Sequence, residues 1–253
     1  INIILDIILI FGIVLKGSVI IIGAGPGLGS SLARKFAKEG HHVFVVRRER
    51  HSEELNSLCD EIKEFGGSAT AIPSDAREEE QVISLFSEVA KSGPIDCVVF
   101  NIGANVFFSI EETTSRVFRK IWEMGTFAGF LVGREAAKHM KDKGTIIFTG
   151  ATASMRGGSG FAAFSSAKFG LRAVAQSLAR ELGPKGIHVA HTIIDGAIDH
   201  PWIKENFPDI YKLKEVDGIL NPDHIAEAYY NLHLQEKTAW THELDLRPYM
   251  EKF

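Results

Sequence analysis

The sequence predicts an α/β domain whose parallel strands form one open, doubly wound sheet covered by helices on both faces. Three observations carry this expectation. From Lys16 onward, short β-branched runs alternate with longer amphipathic ones. A glycine-rich turn follows the first such run and opens a helix. No composition shift, Pro-rich linker or internal repeat divides the 253 residues. Repeated strand–helix alternation favours parallel pairing, because each helix returns the chain to the same end of the sheet. The expected organisation is an apolar extension over 1–15 and one domain over 16–253.

The elements follow in order. Residues 19–22 are a buried β-branched strand ended by glycine. Residues 30–39 place Leu32, Ala33, Phe36 and Ala37 on one helical stripe, with Gly40 as the stop. A strand at 43–46, a helix at 52–65, a strand at 68–72 and a helix at 78–91 come next. A strand at 96–100 leads into a long helix over 115–140, then a strand at 145–149. A helix over 161–182 precedes a strand at 189–194. Asn221-Pro222-Asp223 reads as the cap of a helix carrying Ile225, Ala226 and Tyr229. Residues 243–246 supply a last short strand.

Composition narrows the function. With 28 Lys and Arg against 32 Asp and Glu, the net charge is −4, and the basic footprint of a nucleic-acid binder is missing. Cys59 and Cys97 form no disulfide framework, which suits a reducing, intracellular and cytoplasmic setting. The ten histidines are scattered without ligand spacing, so no metal site is expected. The run 1–15 is apolar except for Asn2, Asp6 and Gly12. As a helix it would span about 22 Å, against a hydrocarbon core of about 30 Å. An extra strand or packed arm is the simpler reading, and membrane contact is the alternative.

The turn Gly23-Ala24-Gly25-Pro26-Gly27-Leu28-Gly29 stands between a strand and a helix. Glycines there permit a tight turn and close approach of a phosphate to backbone N–H groups at a helix N-terminus, the Rossmann-type arrangement. The spacing of Gly23, Gly27 and Gly29 resembles the turn of the short-chain dehydrogenases/reductases. The resemblance extends along the chain to Leu246. It includes Asp75 after the third strand, Asn101-Ile102-Gly103 after the fourth, Phe164-Ser165-Ser166-Ala167-Lys168 on the family's Y-x-x-x-K segment, and Asp195-Gly196-Ala197-Ile198 after the sixth.

The resemblance implies a nicotinamide cofactor held by Gly23, Gly27, Leu28, Gly29, Asp75, Asn101, Gly103, Lys168, Gly196 and Ile198. Where NAD-preferring members carry an acid at the end of the second strand, this chain has Arg47, followed by Arg48. Two guanidiniums suit a 2′-phosphate, so NADP(H) is expected over NAD(H). Two solvated arginines are the alternative.

The same resemblance assigns proton transfer to Tyr, Ser, Asn and Lys. Here Phe164 stands at the Tyr position, Ala151 at the Ser position and Gly125 at the Asn position, and Lys168 alone is retained. A missing general acid costs about 10²–10⁴-fold in rate. Asp195, Asp199 and His200, past the end of a strand, could put an acid near the nicotinamide, or they could cap a turn and be solvated. Thr149, Thr152 and Ser154 could donate hydrogen bonds to an oxyanion. A quinone or activated double bond would need little proton help. Residues 201–220, with Trp202, Phe207 and Tyr211, fall where the family keeps a lid, so the substrate is expected to be small and apolar. The Ala-rich helix around Ala162 to Ala175 matches the family's dimer face, implying a homodimer or homotetramer, and residues 247–253 could reach a partner subunit. Two readings follow: an NADP(H)-dependent oxidoreductase with an unusual proton source or an undemanding substrate, or an NADP(H)-binding scaffold without turnover.

Overall fold

A computed structural model describes residues 16–252. The extension 1–15, with the expectation of membrane contact, lies outside the described residues. No helix among them is long and apolar enough to cross a membrane.

Seven strands form one sheet: β1 (Ser18–Ile22), β2 (His42–Arg47), β3 (Ser68–Pro73), β4 (Ile95–Phe100), β5 (Thr145–Thr149), β6 (His188–Ile194) and β7 (Glu243–Leu246). Their order is β3-β2-β1-β4-β5-β6-β7, and every pairing is parallel. This is the doubly wound Rossmann-type sheet that the alternation implies. The chain reverses its direction of travel across the sheet between β1 and β4, and a crevice opens there beyond the strand ends. The helices are α1 (Leu28–Lys38), α2 (Ser52–Glu64), α3 (Glu79–Ala90), α4 (Ser115–Trp122), α5 (Ala128–His139), α6 (Ala162–Leu182), α7 (Pro201–Asn206), α8 (Pro208–Lys212) and α9 (Pro222–His233).

Side chains alternate across each strand, so β1 feeds two cores. Val19 and Ile21 pack with Leu32 and Phe36 of α1, Leu55 of α2 and Tyr229 of α9. Ile20 and Ile22 pack with Phe86 of α3, Leu131 of α5 and Leu171 of α6. Asn221 caps α9, its side-chain oxygen accepting from the Asp223 N–H at 2.9 Å, with Pro222 at the first position as the sequence suggests.

The helix expected over 115–140 is interrupted. Glu123–Phe127 forms a π-turn between α4 and α5, a feature that often marks functional sites. Close packing accompanies it: a Cβ at Gly125 would lie 2.9 Å from that of Ala167, and the Thr126 hydroxyl donates to the Ala167 carbonyl at 2.8 Å. Gly129 and Gly133 continue this bare stripe against Leu171 and Leu178. Within the C-terminal stretch, Pro248 lies against Gly196 of the same chain, while Tyr249 and Met250 are exposed.

Several buried histidines set an acid limit. His191 is fully buried, 3.5 Å from Glu243, and burial brings it down to about 4. His233 is likewise brought to about 4 by burial. An unfolded histidine takes up its proton near pH 6.5, so between about pH 6.5 and 4 the unfolded chain binds more protons than the folded one. Stability therefore falls as pH drops through that window, by about 1.4 kcal/mol per pH unit for each such group once it is protonated only when unfolded. Thermal melts from pH 7.5 to 4.5 are expected to show a steepening loss below pH 6.5, reduced in His233→Gln. A flat profile would contradict this account.

Candidate active site

The glycine turn is built by backbone packing. Gly23 has φ 90° and Gly27 φ 78°, both in the left-handed region that favours glycine. A Cβ at Gly29 would lie 2.3 Å from the Gly23 carbonyl oxygen, so α1 approaches the turn only with glycine there. Asn101 at the end of β4 locks the turn from the other side. Its N–H donates to the Ile22 carbonyl at 2.8 Å, and its side-chain amide donates to the Gly23 carbonyl at 3.2 Å. No side chain caps α1, and while the Ser30 N–H donates to the Gly25 carbonyl at 2.9 Å, the N–H groups of Leu28 and Gly29 are left for an anion.

Two adjoining cavities run from this turn. The larger, about 740 Å³, is lined by Leu28, Gly103, Ala151, Thr152, Phe164, Lys168, Asp195, Gly196, Ile198 and His200 among others. The smaller, about 210 Å³, is lined by Gly25, Arg47, Arg48, His51, Asp75 and Arg77. Gly23, Asn101, Ile102 and Gly103 border both. The candidate cofactor residues other than Gly27 thus line one continuous trough across the switch point of the sheet.

The smaller cavity is more intricately paired than the sequence implies. Arg47 pairs with Glu54 of α2, and Glu54 is held below the usual carboxylate range by hydrogen bonds from His51 and Arg47. The doublet therefore does have a carboxylate beside it, supplied by a helix seven residues on. Arg48 is half-buried, with burial and the neighbouring Arg50 lowering its proton affinity. It makes no ion pair among the described residues. Asp75, expected at the adenine, is taken up by Arg77: Nη2 lies 2.5 Å and Nε 3.0 Å from its carboxylate oxygens, and the pair holds Asp75 below its ordinary range. Sequence reasoning missed Glu54 and Arg77, although Arg77 stands only two residues beyond Asp75.

In the larger cavity Lys168 projects from α6. Its ammonium donates to the Thr149 carbonyl at 2.8 Å and the Ile102 carbonyl at 3.2 Å, tying the ends of β4 and β5. Burial lowers its pKa to about 8. The Phe164 ring, one helical turn earlier, has its centroid 5.9 Å from the ammonium nitrogen and closes a small apolar cluster with Ala104, Ile121, Ala153 and Ala167. Gly125 packs against Ala167, and the Ala151 backbone holds Ser154 reciprocally, its N–H donating to Ser154 Oγ at 3.1 Å and its carbonyl accepting from the Ser154 N–H at 2.8 Å.

The hydroxyls offered as oxyanion donors are each engaged elsewhere. Thr149 Oγ1 lies 2.8 Å from the buried Tyr229 hydroxyl, Thr152 donates to Asp195, and Ser154 is wholly buried. Asp195 is buried as well, its other oxygen 3.2 Å from Arg247, so its carboxylate accepts on both sides. Asp199 pairs with Lys214 at 2.6 Å. His200 sits over the glycine turn, its Cδ2 2.8 Å from where a Gly27 Cβ would be. Its Nδ1 accepts from the Trp202 N–H at 3.0 Å and caps α7. The structure thus brings Asp195 and His200 to one cavity but sets His200 at its glycine-turn end. Arg247, missed in the sequence, was legible only as one basic residue among many.

Comparison with known proteins agrees with this geometry. The family model described as short chain dehydrogenase matches residues 17–209. A probable tetrahydroxynaphthalene reductase from Zymoseptoria tritici is 32% identical over 212 residues, covering 80% of this chain and 79% of its own length. Elsinochrome reductase 1 from Elsinoe fawcettii is 31% identical over 202 residues, covering 77% and 75%. Among solved structures, a short-chain dehydrogenase from Rhodopseudomonas palustris superposes with TM-score 0.79 at 49% identity, over 92% of this chain and 99% of the other. By its fold, its glycine turn and these matches, the chain belongs to the short-chain dehydrogenase/reductase family of oxidoreductases.

Proposed function

We propose that the protein is an NADP(H)-dependent oxidoreductase that reduces a small, largely apolar carbonyl or quinone without the family's Asn, Ser and Tyr side chains. The observation that carries this reading is selective loss. The trough with its glycine turn, Asn101 and Lys168 is built for a dinucleotide, whereas Gly125, Ala151 and Phe164 carry no exchangeable side-chain proton. The reductase names of the fungal relatives favour the reducing direction. When bound, the nicotinamide supplies the hydride. The chain's own residues then do the rest. The free N–H groups at the start of α1 face the phosphates, with His200 covering the turn, and Lys168 places a positive charge beside the nicotinamide end. Phe164 and the Ala-lined cluster exclude water from one wall.

Arg48 carries the NADP(H) preference. A half-buried guanidinium without a carboxylate partner is available to a 2′-phosphate, while Arg47 is shared with Glu54. Calorimetric titration is expected to show NADPH binding about 10–100-fold more tightly than NADH, the range for hydrogen bonds between charged groups. Arg48→Ala should erase most of that difference while leaving NADH affinity close to its starting value. Equal affinities in the parent protein would remove the NADP(H) assignment.

The engaged hydroxyls and the doubly held Asp195 favour a second reading, a cofactor-binding scaffold. Absorbance of the nicotinamide band in the same titrated sample, followed with a carbonyl and quinone panel, decides between them. Oxidation of NADPH by any panel member supports the enzyme. Tight binding with no turnover supports the scaffold.

A further inference from the structure

The larger cavity has a charge pattern that its cofactor role does not use. Its wall carries five charged or titratable side chains: Arg156, Lys168, Asp195, His200 and Glu251. Asp195 is paired with Arg247, and Glu251 adds its field to the same guanidinium. Lys168 is committed to two backbone carbonyls, and His200 covers the glycine turn. Arg156 differs from all of these. It is exposed to the cavity, and its side chain has no hydrogen bond or ion pair among the described residues. Its backbone is nevertheless held, the N–H donating to the Thr152 carbonyl at 3.2 Å.

The mouth around it is apolar. Phe161 lines the wall and meets Phe107 edge to face at 5.1 Å. Phe107 itself is 67% exposed. Trp202, 46% exposed, lines the same cavity and packs on Phe207 at 5.3 Å. An aromatic rim with one free guanidinium inside it fits a ligand with a flat apolar body and an anionic group. A guanidinium binds carboxylate or phosphate through two parallel hydrogen bonds. Between apolar walls that a bound ligand closes off from water, such a bond is screened less than one at an open surface.

We propose that the substrate is an amphipathic anion, an aromatic or similarly apolar compound whose carboxylate or phosphate is held by Arg156. The proposal rests on the reading of this cavity as the substrate site, and it makes Arg156 a specificity-determining residue for that site.

The test measures binding of benzoate, phenyl phosphate and neutral benzamide by calorimetry, on the protein alone and with NADP⁺ present. Turnover of 4-formylbenzoate is compared in parallel with that of its methyl ester. The expected result is at least about tenfold tighter binding of one or both anions over benzamide. Arg156→Ala should abolish that difference and Arg156→Lys restore part of it, with NADPH affinity unchanged as the check on folding. The better of the two anions identifies carboxylate or phosphate as the preferred group. Selective anion binding without turnover sustains the inference while removing the reductase reading. Equal binding of benzamide, equal turnover of acid and ester, or a preference that survives Arg156→Ala would overturn it.

Discussion

Restoring a phenol and its partner hydroxyl, by Phe164→Tyr with Ala151→Ser, is expected to raise NADPH-dependent turnover of a carbonyl substrate by about 10²–10⁴-fold, the usual worth of a positioned general acid. The argument is local. Phe164 stands one helical turn before Lys168 with its ring centroid 5.9 Å from the ammonium nitrogen, and the ring borders the larger cavity. A hydroxyl added to that ring would feel the positive charge of the Lys168 ammonium, which favours the phenolate and lowers the pKa of the phenol. Ala151 borders the same cavity. The Asn that the family resemblance places at 125 cannot be introduced by the same means. An Asn at 125 would bring its Cβ within 2.9 Å of the Ala167 Cβ, and crowding of that kind in a packed interior costs about 1–3 kcal/mol. Steady-state rates with the carbonyl panel, read beside NADPH affinity, check the prediction. If the double variant binds NADPH as the parent does yet gains less than tenfold, proton delivery is not what limits the parent.

Removing the buried ammonium should produce the second large effect. Lys168→Met is expected to weaken NADPH binding by about 10–100-fold, through loss of a charge-assisted contact beside the cofactor. It should also destabilise the fold by about 1–3 kcal/mol for each carbonyl left without a donor, the two being those of Thr149 and Ile102. The pH dependence separates this charge from general damage. Burial places Lys168 at about 8, so in the parent the positive charge is present below that pH and is lost above it. NADPH affinity should decline as pH rises from 7 to 9.5 in the parent and stay flat in Lys168→Met. The stability sign runs the other way. Between about pH 8 and 10.4 the folded chain has released a proton that the unfolded chain still holds, so this group makes the folded state relatively more stable as pH rises. Affinity that declines equally in both proteins would mean that another group carries the effect.

The alternation of short β-branched runs with amphipathic runs was enough to specify the seven-stranded parallel sheet, because period and length report directly which faces must be buried. The glycine turn was equally legible, since Gly23, Gly27 and Gly29 satisfy local constraints of backbone angle and close approach. That Gly125, Ala151 and Phe164 carry no exchangeable side-chain proton is a matter of residue identity, and reading them as lost catalytic positions rests on the resemblance to the family pattern. What the sequence could not order was pairing across the folded surface. Arg47 at the end of β2 meets Glu54 in the first turn of α2 because a single short helical turn at Glu49–His51 joins the two elements. Asp195 meets Arg247, 52 residues later, because β6 and β7 are neighbours. The π-turn at Glu123–Phe127 was hidden because a helical pattern runs up to it and resumes after it, although Gly125 and Thr126 within it are weak helix formers, and close contact with α6 goes with it. His200 shows the division most clearly: its position after β6 predicted only the right end of the sheet, whereas the direction of α7 set which part of the cavity its ring covers. Local spacing determined the scaffold and the cofactor turn. Only tertiary packing decided which charges are already paired, as Arg47 and Asp195 are, and which, Arg48 and Arg156 among them, have no ion pair among the described residues, because ion pairing depends on distances between segments far apart in sequence.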